Sequence, residues 1–160
     1  MLIRDLDPVA DLSRVHDFYQ SAPDYWLMAD RAAPDLAKAR AFFTDTPPGC
    51  DPRQSQRLGL FQADRLSGVA ELSFGFPKAG DAYLGLLMLG PWARNAGVGA
   101  AFLAHIEAIA CAAGHDEIYL AVLDMNVAGR RFWHREGFRP TGVVGRDAHG
   151  QGLTRLSKQL

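Results

Sequence analysis

Hydrophobic residues in the first third of the chain recur at spacings that predict a strand followed by two helices. Residues 2–5 form the predicted strand, and residues 8–21 place Val9, Leu12, Val15, Phe18 and Tyr19 on one helical face. Pro8 suits the first turn of this helix, because the N–H group that proline lacks would have no partner there. A second helix is predicted at residues 35–44, and the proline- and glycine-rich residues 46–52 are predicted to be a loop.

The middle of the chain changes to a pattern of strands. Residues 57–62 and 67–74 predict a hairpin around the turn at residues 63–65. Residues 82–89 are almost wholly apolar, and this composition predicts a strand that is buried on both faces of a sheet.

Strands and helices alternate in the last third. A helix is predicted at residues 97–113, with Gly114 ending it, and a strand follows at residues 118–123. A short helix at residues 127–136 has Asn126 as its expected N-cap. The predicted strands at residues 138–144 and 152–157 close the chain as a hairpin. The predicted order is β-α-α-β-β-β-α-β-α-β-β, which indicates an α/β protein with a mixed sheet.

Composition narrows the class of protein. The chain has 160 residues, which fit a single domain over residues 1–160, and 48% of them are hydrophobic, as in packed globular proteins. Seventeen Lys and Arg residues against eighteen Asp and Glu give a net charge of −1, so we expect no nucleic-acid or membrane partner.

Cysteine usage and hydropathy point to a cytoplasmic, soluble protein. Cys50 and Cys111 lie far apart and form no CxxC pattern, so we expect two reduced thiols and no metal site. The N-terminus lacks the long apolar region of a signal peptide, and no run approaches the ~18 apolar residues of a membrane span.

The segment most informative about chemistry is a glycine loop between a buried strand and a helix. The strand ends at Leu89, and Gly97 and Gly99 open the helix. N–H groups at a helix start have no intrahelical partner, and the helix dipole adds positive charge, so phosphates bind there. Glycine allows close approach of the backbone to a ligand, and Arg94 would add a fixed cation. An ordinary strand–loop–helix corner has the same spacing.

Two motifs make the chain resemble the GNAT-type N-acetyltransferases. Arg94-Asn95-Ala96-Gly97-Val98-Gly99 resembles the family's acetyl-CoA loop. Asn126-Val127-Ala128-Gly129-Arg130-Arg131-Phe132-Trp133-His134-Arg135-Glu136-Gly137-Phe138 resembles its later motif. The resemblance covers residues 82–138, whereas the N-terminal third matches the family only in the order of its elements. It implies the GNAT-like acyl-CoA N-acyltransferase fold.

The resemblance also implies a site for acetyl-CoA, the expected co-substrate, between the strands at residues 82–89 and 118–123. The pantetheine amides would bind the strand edge at Leu87 and Leu89, and Asn126 would bind the pantetheine arm or simply cap its helix. The residues implied in cofactor binding are Leu87, Met88, Leu89, Arg94, Asn95, Ala96, Gly97, Val98, Gly99, Ala100, Asn126, Phe132 and Trp133. Arg130 and Arg131 would reach the adenosine phosphate or belong to a solvated face.

The implied reaction is direct attack of a primary amine on the thioester. The N–H of Leu89 would stabilise the oxyanion, and Glu71, the only carboxylate in the middle of its strand, is the candidate base. A merely solvated Glu71 is the alternative. Trp133 stands where many family members have tyrosine, and an indole cannot give up a proton near neutral pH, so we expect it to form a wall of the thioester tunnel.

Candidate substrate residues lie at the start of one predicted strand and after the first predicted helix. Tyr83 and Asp81 begin the strand at residues 82–89, and Asp24, Tyr25 and Trp26 follow the first helix, where the family often builds its acceptor pocket. We expect Tyr25, Trp26 and Tyr83 to contact the acceptor. His105 is predicted to lie on the apolar face of its helix as a core residue, and His134 to point away from the sulfur.

Two other functions stay open. A dinucleotide-binding protein would use Gly97-Val98-Gly99 as the start of its fingerprint, with Asp116 or Glu117 on the ribose, although Phe102 stands at the third glycine position. A non-catalytic acyl-CoA-binding or sensor domain would fit the loss of the tyrosine. Comparing the affinities for NAD and for CoA distinguishes the dinucleotide-binding protein from the acyl-CoA-binding ones. Assaying transfer as well as binding distinguishes the enzyme from the sensor domain. The acceptor is a small-molecule or peptide amine, and a homodimer is the commonest assembly.

Overall fold

Seven strands form one continuous sheet in the computed structural model, which describes residues 1–160. The strands, in chain order, are β1 (Leu2–Asp5), β2 (Gln56–Gln62), β3 (Arg65–Phe74), β4 (Ala82–Leu89), β5 (Glu117–Leu123), β6 (Arg139–Arg146) and β7 (Gly152–Gln159). Their order across the sheet is β1-β2-β3-β4-β5-β7-β6. Only β4 and β5 pair in parallel, and every other neighbouring pair is antiparallel. The predicted mixed α/β sheet is therefore confirmed.

Five α-helices cover the two faces of the sheet. They are α1 (Leu12–Ser21), α2 (Asp24–Ala29), α3 (Leu36–Thr44), α4 (Val98–Ala112) and α5 (Val127–Arg135). A single 3₁₀ turn at Pro91–Ala93 joins β4 to the loop before α4. None of these helices combines the length and the apolar character that crossing a membrane requires.

Two details of the helices differ from the sequence-based prediction. The first helix begins at Leu12 rather than Pro8, because Asp7 Oδ1 accepts the N–H groups of Val9 and Ala10 and closes a separate turn. Val9 consequently stays exposed instead of joining the buried face. The short helix α2 was not predicted, since six residues after Pro23 are too few to show a helical period.

Each face of the sheet has its own hydrophobic core. The core on the α4–α5 face contains fully buried Phe102, Ile106, Ile118 and Leu120, together with Trp133 and Phe138. The core on the α1–α3 face contains Val15, Phe18, Tyr19, Trp26, Phe42 and Met88. The sheet therefore separates two layers, and a ligand that contacts both layers must pass through it.

The sheet opens at its centre, between β4 and β5. Their parallel pairing is limited to Ala82 with Ile118 and Tyr83 with Tyr119. Beyond these two pairs, β4 continues to Leu89 without a partner on that side. A register shift between Glu71 and Leu72 of β3 leaves Gly85 of β4 without an opposite residue, so a bulge lies at the point where the two strands part.

The outer edge of the sheet is formed by β6, all eight residues of which are exposed. Its pairing with β7 is irregular between Pro140 and Val144, where Gly142 has a φ of +90°. The hairpin of β6 and β7 extends the sheet beyond the opening at β5.

Candidate active site

The main chain of β4 presents free hydrogen-bonding groups to the opening. Gly90 N–H donates to the carbonyl oxygen of Ser67 at 2.9 Å, so this residue pair is hydrogen-bonded across β3 and β4. Bonded and non-bonded pairs alternate along an antiparallel ladder. The pairs containing Leu87 and Leu89 are therefore non-bonded, and both residues turn their N–H and C=O groups toward the gap left by β5. Met88 instead faces β3 with its main chain and buries its side chain among α1–α3.

The first turn of α4 lies beside the end of β4 and has no side-chain cap. Gly97 is the N-cap with a φ of +75°, and no acidic residue lies in the first turn. The N–H groups of Val98, Gly99 and Ala100 have no intrahelical acceptor, because the first helical bond runs from Ala101 N–H to Gly97 O at 3.1 Å. The space where a Gly97 side chain would lie is open within 4 Å. These features suit a phosphate group.

The sequence suggested that Gly99 allows the backbone to approach a ligand, but the structure gives a packing reason for its small size. A Cβ atom on Gly99 would lie 3.1 Å from Cε2 of Phe132 and 3.3 Å from Cδ1 of Leu89. The glycine therefore allows α4 to pack tightly against α5 and the end of β4. Of the two loop glycines, only Gly97 keeps the open backbone that ligand approach requires.

Arg94 is already paired within the chain. Its guanidinium donates to the carbonyl oxygen of Leu89 at 3.0 and 2.8 Å and to the carboxylate of Asp24 at 2.5 and 3.1 Å. These hydrogen bonds lower the pKa of Asp24. The arginine thus ties the end of β4 to the start of α2, whereas the sequence suggested a fixed cation for a phosphate ligand.

A pocket of about 440 Å³ lies on the α1–α3 face, directly under the point where β4 and β5 part. Glu71, Tyr83, Gly85 and Ala121 form its floor on the sheet. Its walls are residues from the α3–β2 loop, from the β3–β4 connection and from the β6–β7 hairpin: Asp45, Thr46, Pro47, Pro48, Phe76, Val143, Val144, Gly145, Leu153 and Arg155. The structure thus brings Glu71 and Tyr83 together in one concave site.

Glu71 is buried, so the alternative of a solvated carboxylate on the sheet face does not hold. Its side chain is 8% exposed, and Oε1 accepts from Ser73 Oγ and pairs with Arg57 Nη1 at 3.1 Å. Arg57, whose pKa is lowered by its burial, also donates to the carbonyl oxygen of Asp45 at 2.7 Å. No hydrogen bond of the chain occupies Oε2, which lies over Gly85 where a side chain would otherwise stand. Arg57 and Ser73 therefore hold one oxygen and aim the other at the bulge.

The other residues expected to contact the acceptor are divided between the pocket and the core. Tyr83 packs edge-on against Phe76 at 5.0 Å, and burial raises its pKa. Trp26 lies in the α1–α3 core with its indole N–H unpartnered, and Tyr25 packs against it at 5.0 Å. Burial raises the pKa of Tyr25. Neither Tyr25 nor Trp26 lines the pocket.

The remaining candidates from this region fall outside the pocket. Asp81 accepts the N–H of Lys78 at 3.1 Å and stabilises the turn before β4. His105 is exposed, so the prediction that it is a core histidine is wrong: the buried face of α4 contains Phe102, Leu103 and Ile106 instead. His134 is exposed as well.

Helix α5 closes the α4–α5 face of the opening. Asn126 caps it as predicted, since Oδ1 accepts the N–H of Gly129 at 2.9 Å. Trp133 is buried between Phe132 and Phe138, with ring centroids at 4.8 and 5.3 Å, and its indole N–H makes no hydrogen bond. Its packing makes it part of the core.

Arg130 and Arg131 of α5, and the residue types that bind metals, are further candidate parts of the site. Arg130 and Arg131 lie on the exposed side of the helix, and Arg130 makes one long contact of 3.4 Å with the carbonyl oxygen of Asp124. No group of three or more His, Cys, Asp or Glu side chains is placed to hold a metal ion.

Sequence reasoning missed Arg57, Phe76 and Arg155 as site residues. Arg57 lies directly opposite Glu71 in the β2–β3 register, and Arg155 lies opposite Ala121 in the β5–β7 register. The alternation of residues along each strand could have indicated a shared face. The order of the strands, which brings Arg155 into the pocket and Arg57 behind Glu71, could not be predicted from the local pattern.

Comparison with known proteins agrees with this arrangement. The model of the Acetyltransferase (GNAT) family matches residues 15–138. An acetyltransferase from Thermus thermophilus has a TM-score of 0.78 at 22% identity, over 100% of this chain and 98% of that one. A GCN5-related N-acetyltransferase from Kribbella flavida has a TM-score of 0.71 at 26% identity, over 99% and 97% of the two chains.

A third similar structure contains coenzyme A. It is the PaiA N-acetyltransferase from Thermoplasma acidophilum, with a TM-score of 0.71 at 20% identity over 99% of this chain and 98% of that one. No curated protein sequence matches the chain.

The dinucleotide-binding alternative does not fit the fold. In that fold the strand before the glycine loop lies in a mostly parallel sheet, whereas β4 pairs antiparallel with β3 over seven residue pairs. Phe102, at the third glycine position, is fully buried in the core. Since the family model matches most of the chain and the fold agrees over its whole length, the chain belongs to the GNAT family of acetyltransferases.

Proposed function

We propose that this protein transfers an acetyl group from acetyl-CoA to the primary amine of an acceptor by direct attack. The observation that carries the proposal is the opening between β4 and β5. On one side it meets the free N–H groups of α4, and on the other it meets the pocket that contains Glu71. Two substrates that bind from opposite faces would meet at this opening.

The donor side has the groups that a CoA thioester requires. The free main-chain groups of Leu87 would hydrogen-bond the pantetheine arm, and the N–H groups of residues 95–100 would bind the pyrophosphate. The carbonyl oxygen of Leu89 is engaged by Arg94, which leaves the Leu89 N–H for the thioester. The open space at Gly97 leaves room for the phosphates. Phe132 and Trp133 would line the thioester end, while Asn126 has its Oδ1 engaged as a cap and its amide N–H₂ left for the pantetheine arm.

Glu71 is the residue proposed to accept the proton. An amine must lose its proton to attack, and Glu71 Oε2 has no partner within the chain. The ammonium proton passes to Glu71, the neutral nitrogen then forms a bond with the carbonyl carbon, and the carbon–sulfur bond breaks while a second proton leaves the nitrogen for solvent as the amide forms. The N–H of Leu89 donates to the carbonyl oxygen as negative charge develops there. Trp133 gives no proton, so the sulfur leaves as a thiolate, and a thiol with a pKa of about 8.5 is a tolerable leaving group.

The experiment is a screen of amines with acetyl-CoA that measures release of free thiol. We expect transfer by the natural chain, with a rate about 10²- to 10⁴-fold lower in Glu71→Gln at unchanged CoA affinity. If the protein binds CoA but transfers an acetyl group to no amine, the alternative of a non-catalytic acyl-CoA-binding or sensor domain is favoured instead.

A second variant separates chemistry from folding. Glu71→Gln leaves the buried guanidinium of Arg57 without its counter-charge, which by itself destabilises the protein. The double variant Glu71→Gln with Arg57→Met removes both charges. If Glu71 is the base, the double variant regains stability and stays slow. Recovery of the rate would show that Glu71 has only a structural role.

A further inference from the structure

The pocket on the α1–α3 face has charges of opposite sign on its two walls. Glu71 and Asp45 contribute carboxylates on the side of β3 and of the loop after α3. Arg155, on β7, contributes a guanidinium on the opposite side. The pocket is therefore dipolar rather than uniformly acidic.

Arg155 has no partner within the chain. It takes part in none of the ion pairs, and its guanidinium makes no hydrogen bond. Its only directed contact is with the ring of Phe76, whose centroid lies 5.1 Å from the guanidinium carbon. The Phe76 ring fixes the direction of the cation, and five N–H donors remain available to a ligand.

Arg57 lies outside the pocket, so it does not neutralise the negative charge of Glu71 and Asp45 on the pocket side. It is 7% exposed, lies behind Glu71, and is absent from the pocket lining. Its Nη1 forms an ion pair with Glu71 Oε1, and its Nη2 donates to the carbonyl oxygen of Asp45. A ligand in the pocket therefore meets the free Oε2 of Glu71 on one side and the cation of Arg155 on the other.

The separation of the two walls suits a small molecule. Glu71 lies on β3 and Arg155 on β7, and β4 and β5 lie between them in the sheet. Three regular strand spacings would place their backbones roughly 14 Å apart, and the opening between β4 and β5 adds to this distance. The Glu71 carboxylate reaches toward β7, because its Oε2 lies over Gly85 of β4, and Arg155 borders the same pocket from β7, so one ligand with charges of both signs can contact both residues.

We propose that the acceptor is an amino acid or a close analogue, bound with its amine at Glu71 and its carboxylate on Arg155. This inference rests on the proposed function, because it identifies the acceptor of that same site. A single planar guanidinium with free donors matches a carboxylate in bidentate geometry. Pro47, Pro48, Val143 and Leu153 form apolar walls between the charges, so an apolar side chain is favoured.

The test measures binding directly by calorimetry, using the full chain saturated with CoA. The probes are the common L-amino acids, the primary amide of each, and phosphoethanolamine. We expect apolar amino acids to bind about 10- to 100-fold more tightly than their amides, which lack the negative charge. Arg155→Met keeps the contact with Phe76 and should abolish this preference, while Arg155→Lys should retain part of it.

Arg40→Met is the matched control, because Arg40 is an exposed cation on α3 without any ion pair or hydrogen bond. It should leave the preference for amino acids unchanged. Equal binding of amino acids and amides by the natural chain would overturn the inference, and so would tighter binding of phosphoethanolamine. Parallel thiol-release assays separate the two proposals. Transfer only to amines that lack a carboxylate would overturn the amino-acid acceptor and keep the enzymatic function. Binding of amino acids without any transfer would overturn the enzymatic function and leave the pocket as an amino-acid binding site.

Discussion

Gly85 and Glu71 depend on each other at the centre of the site. A Cβ atom on residue 85 would overlap Glu71 Oε2, so the bulge in β4 can hold the carboxylate only if residue 85 is glycine. The backbone of Gly85 itself does not require glycine, since its φ is not positive. The constraint comes entirely from a side chain on the neighbouring strand.

Gly85→Ala should therefore displace the Glu71 carboxylate and slow acetyl transfer by about 10²-fold or more, as loss of a positioned base does. CoA affinity, measured by calorimetry, should stay unchanged. Gly80→Ala is the control, because Gly80 precedes the same strand and has open space around it. If Gly85→Ala transfers the acetyl group as fast as the natural chain, the role of Glu71 as base is contradicted.

Trp133 gives a second prediction for a single residue. Its ring packs between two phenylalanines and makes no hydrogen bond, so Trp133→Phe should keep activity within a few-fold. Trp133→Ala leaves a cavity in the core and should lower the free energy of unfolding by about 3–5 kcal/mol. Denaturant unfolding and thiol release measure the two effects. A hundredfold loss of activity in Trp133→Phe with intact CoA binding would instead assign a chemical role to the indole N–H.

Helix α4 offers a matched pair of glycines, one at each end. Gly97 precedes the helix with a φ of +75°, Gly114 follows it with a φ of +86°, and both have open space around them. Alanine at either position should cost about 1 kcal/mol of stability, because L-residues disfavour this backbone region. Only Gly97→Ala should also weaken CoA binding. Equal CoA affinity in the two variants would place the pyrophosphate elsewhere.

The elements that surround the glycine loop could be predicted because their signals are local. The apolar run of β4, Gly97 and the cap at Asn126 each act within a few residues. Helix α2 has no such signal: it is short, and Arg94 of the distant loop binds Asp24 at its start. The exposure of His105 was missed because α4 is apolar on most of its surface, which blurs the direction of its buried face.

The site as a whole depends on the sheet order, which no short segment encodes. Asp45 and Arg155 are far apart in sequence and yet line one pocket. The burial of Glu71 follows from Arg57 standing opposite it in the register of β2 and β3. Single-sequence reasoning identified Glu71 and Tyr83 by residue type and could not supply these partners.

An ion pair between the buried carboxylate of Asp11 and the partly exposed guanidinium of Arg4 links the N-terminal strand to the first helix and makes overall stability depend on pH. Asp11 accepts two hydrogen bonds from Arg4, both at 2.8 Å, and one from Asp7 N–H at 2.9 Å. The bonds to Arg4 lower the pKa of Asp11 to about 2, against the opposing effect of burial. Ionised Asp11 therefore stabilises the folded chain above pH 4, and this stabilisation is lost as the pH falls from about 4 to 2.

Asp11→Asn should lower the free energy of unfolding by about 2 kcal/mol at pH 7, and the difference from the natural chain should shrink as the pH falls from 4 to 2. Urea unfolding at several pH values measures it. Asp17→Asn, at an exposed position of α1, is the control and should change stability by less than about 0.5 kcal/mol. A difference that stayed constant down to pH 2 would contradict the ion pair as its source.

The irregular edge strand β6 affects how the protein behaves in crowded solution. A regular edge strand offers a continuous row of N–H and C=O groups on which another chain can polymerise. In β6 this row is irregular, because Pro140 has no N–H and the strand bulges against β7 between Pro140 and Val144. Another chain can therefore align with only a short stretch at the end of β6. We infer that the exposed edge resists fibril growth and edge-to-edge aggregation at high protein concentration, although Val143 and Val144 are exposed there.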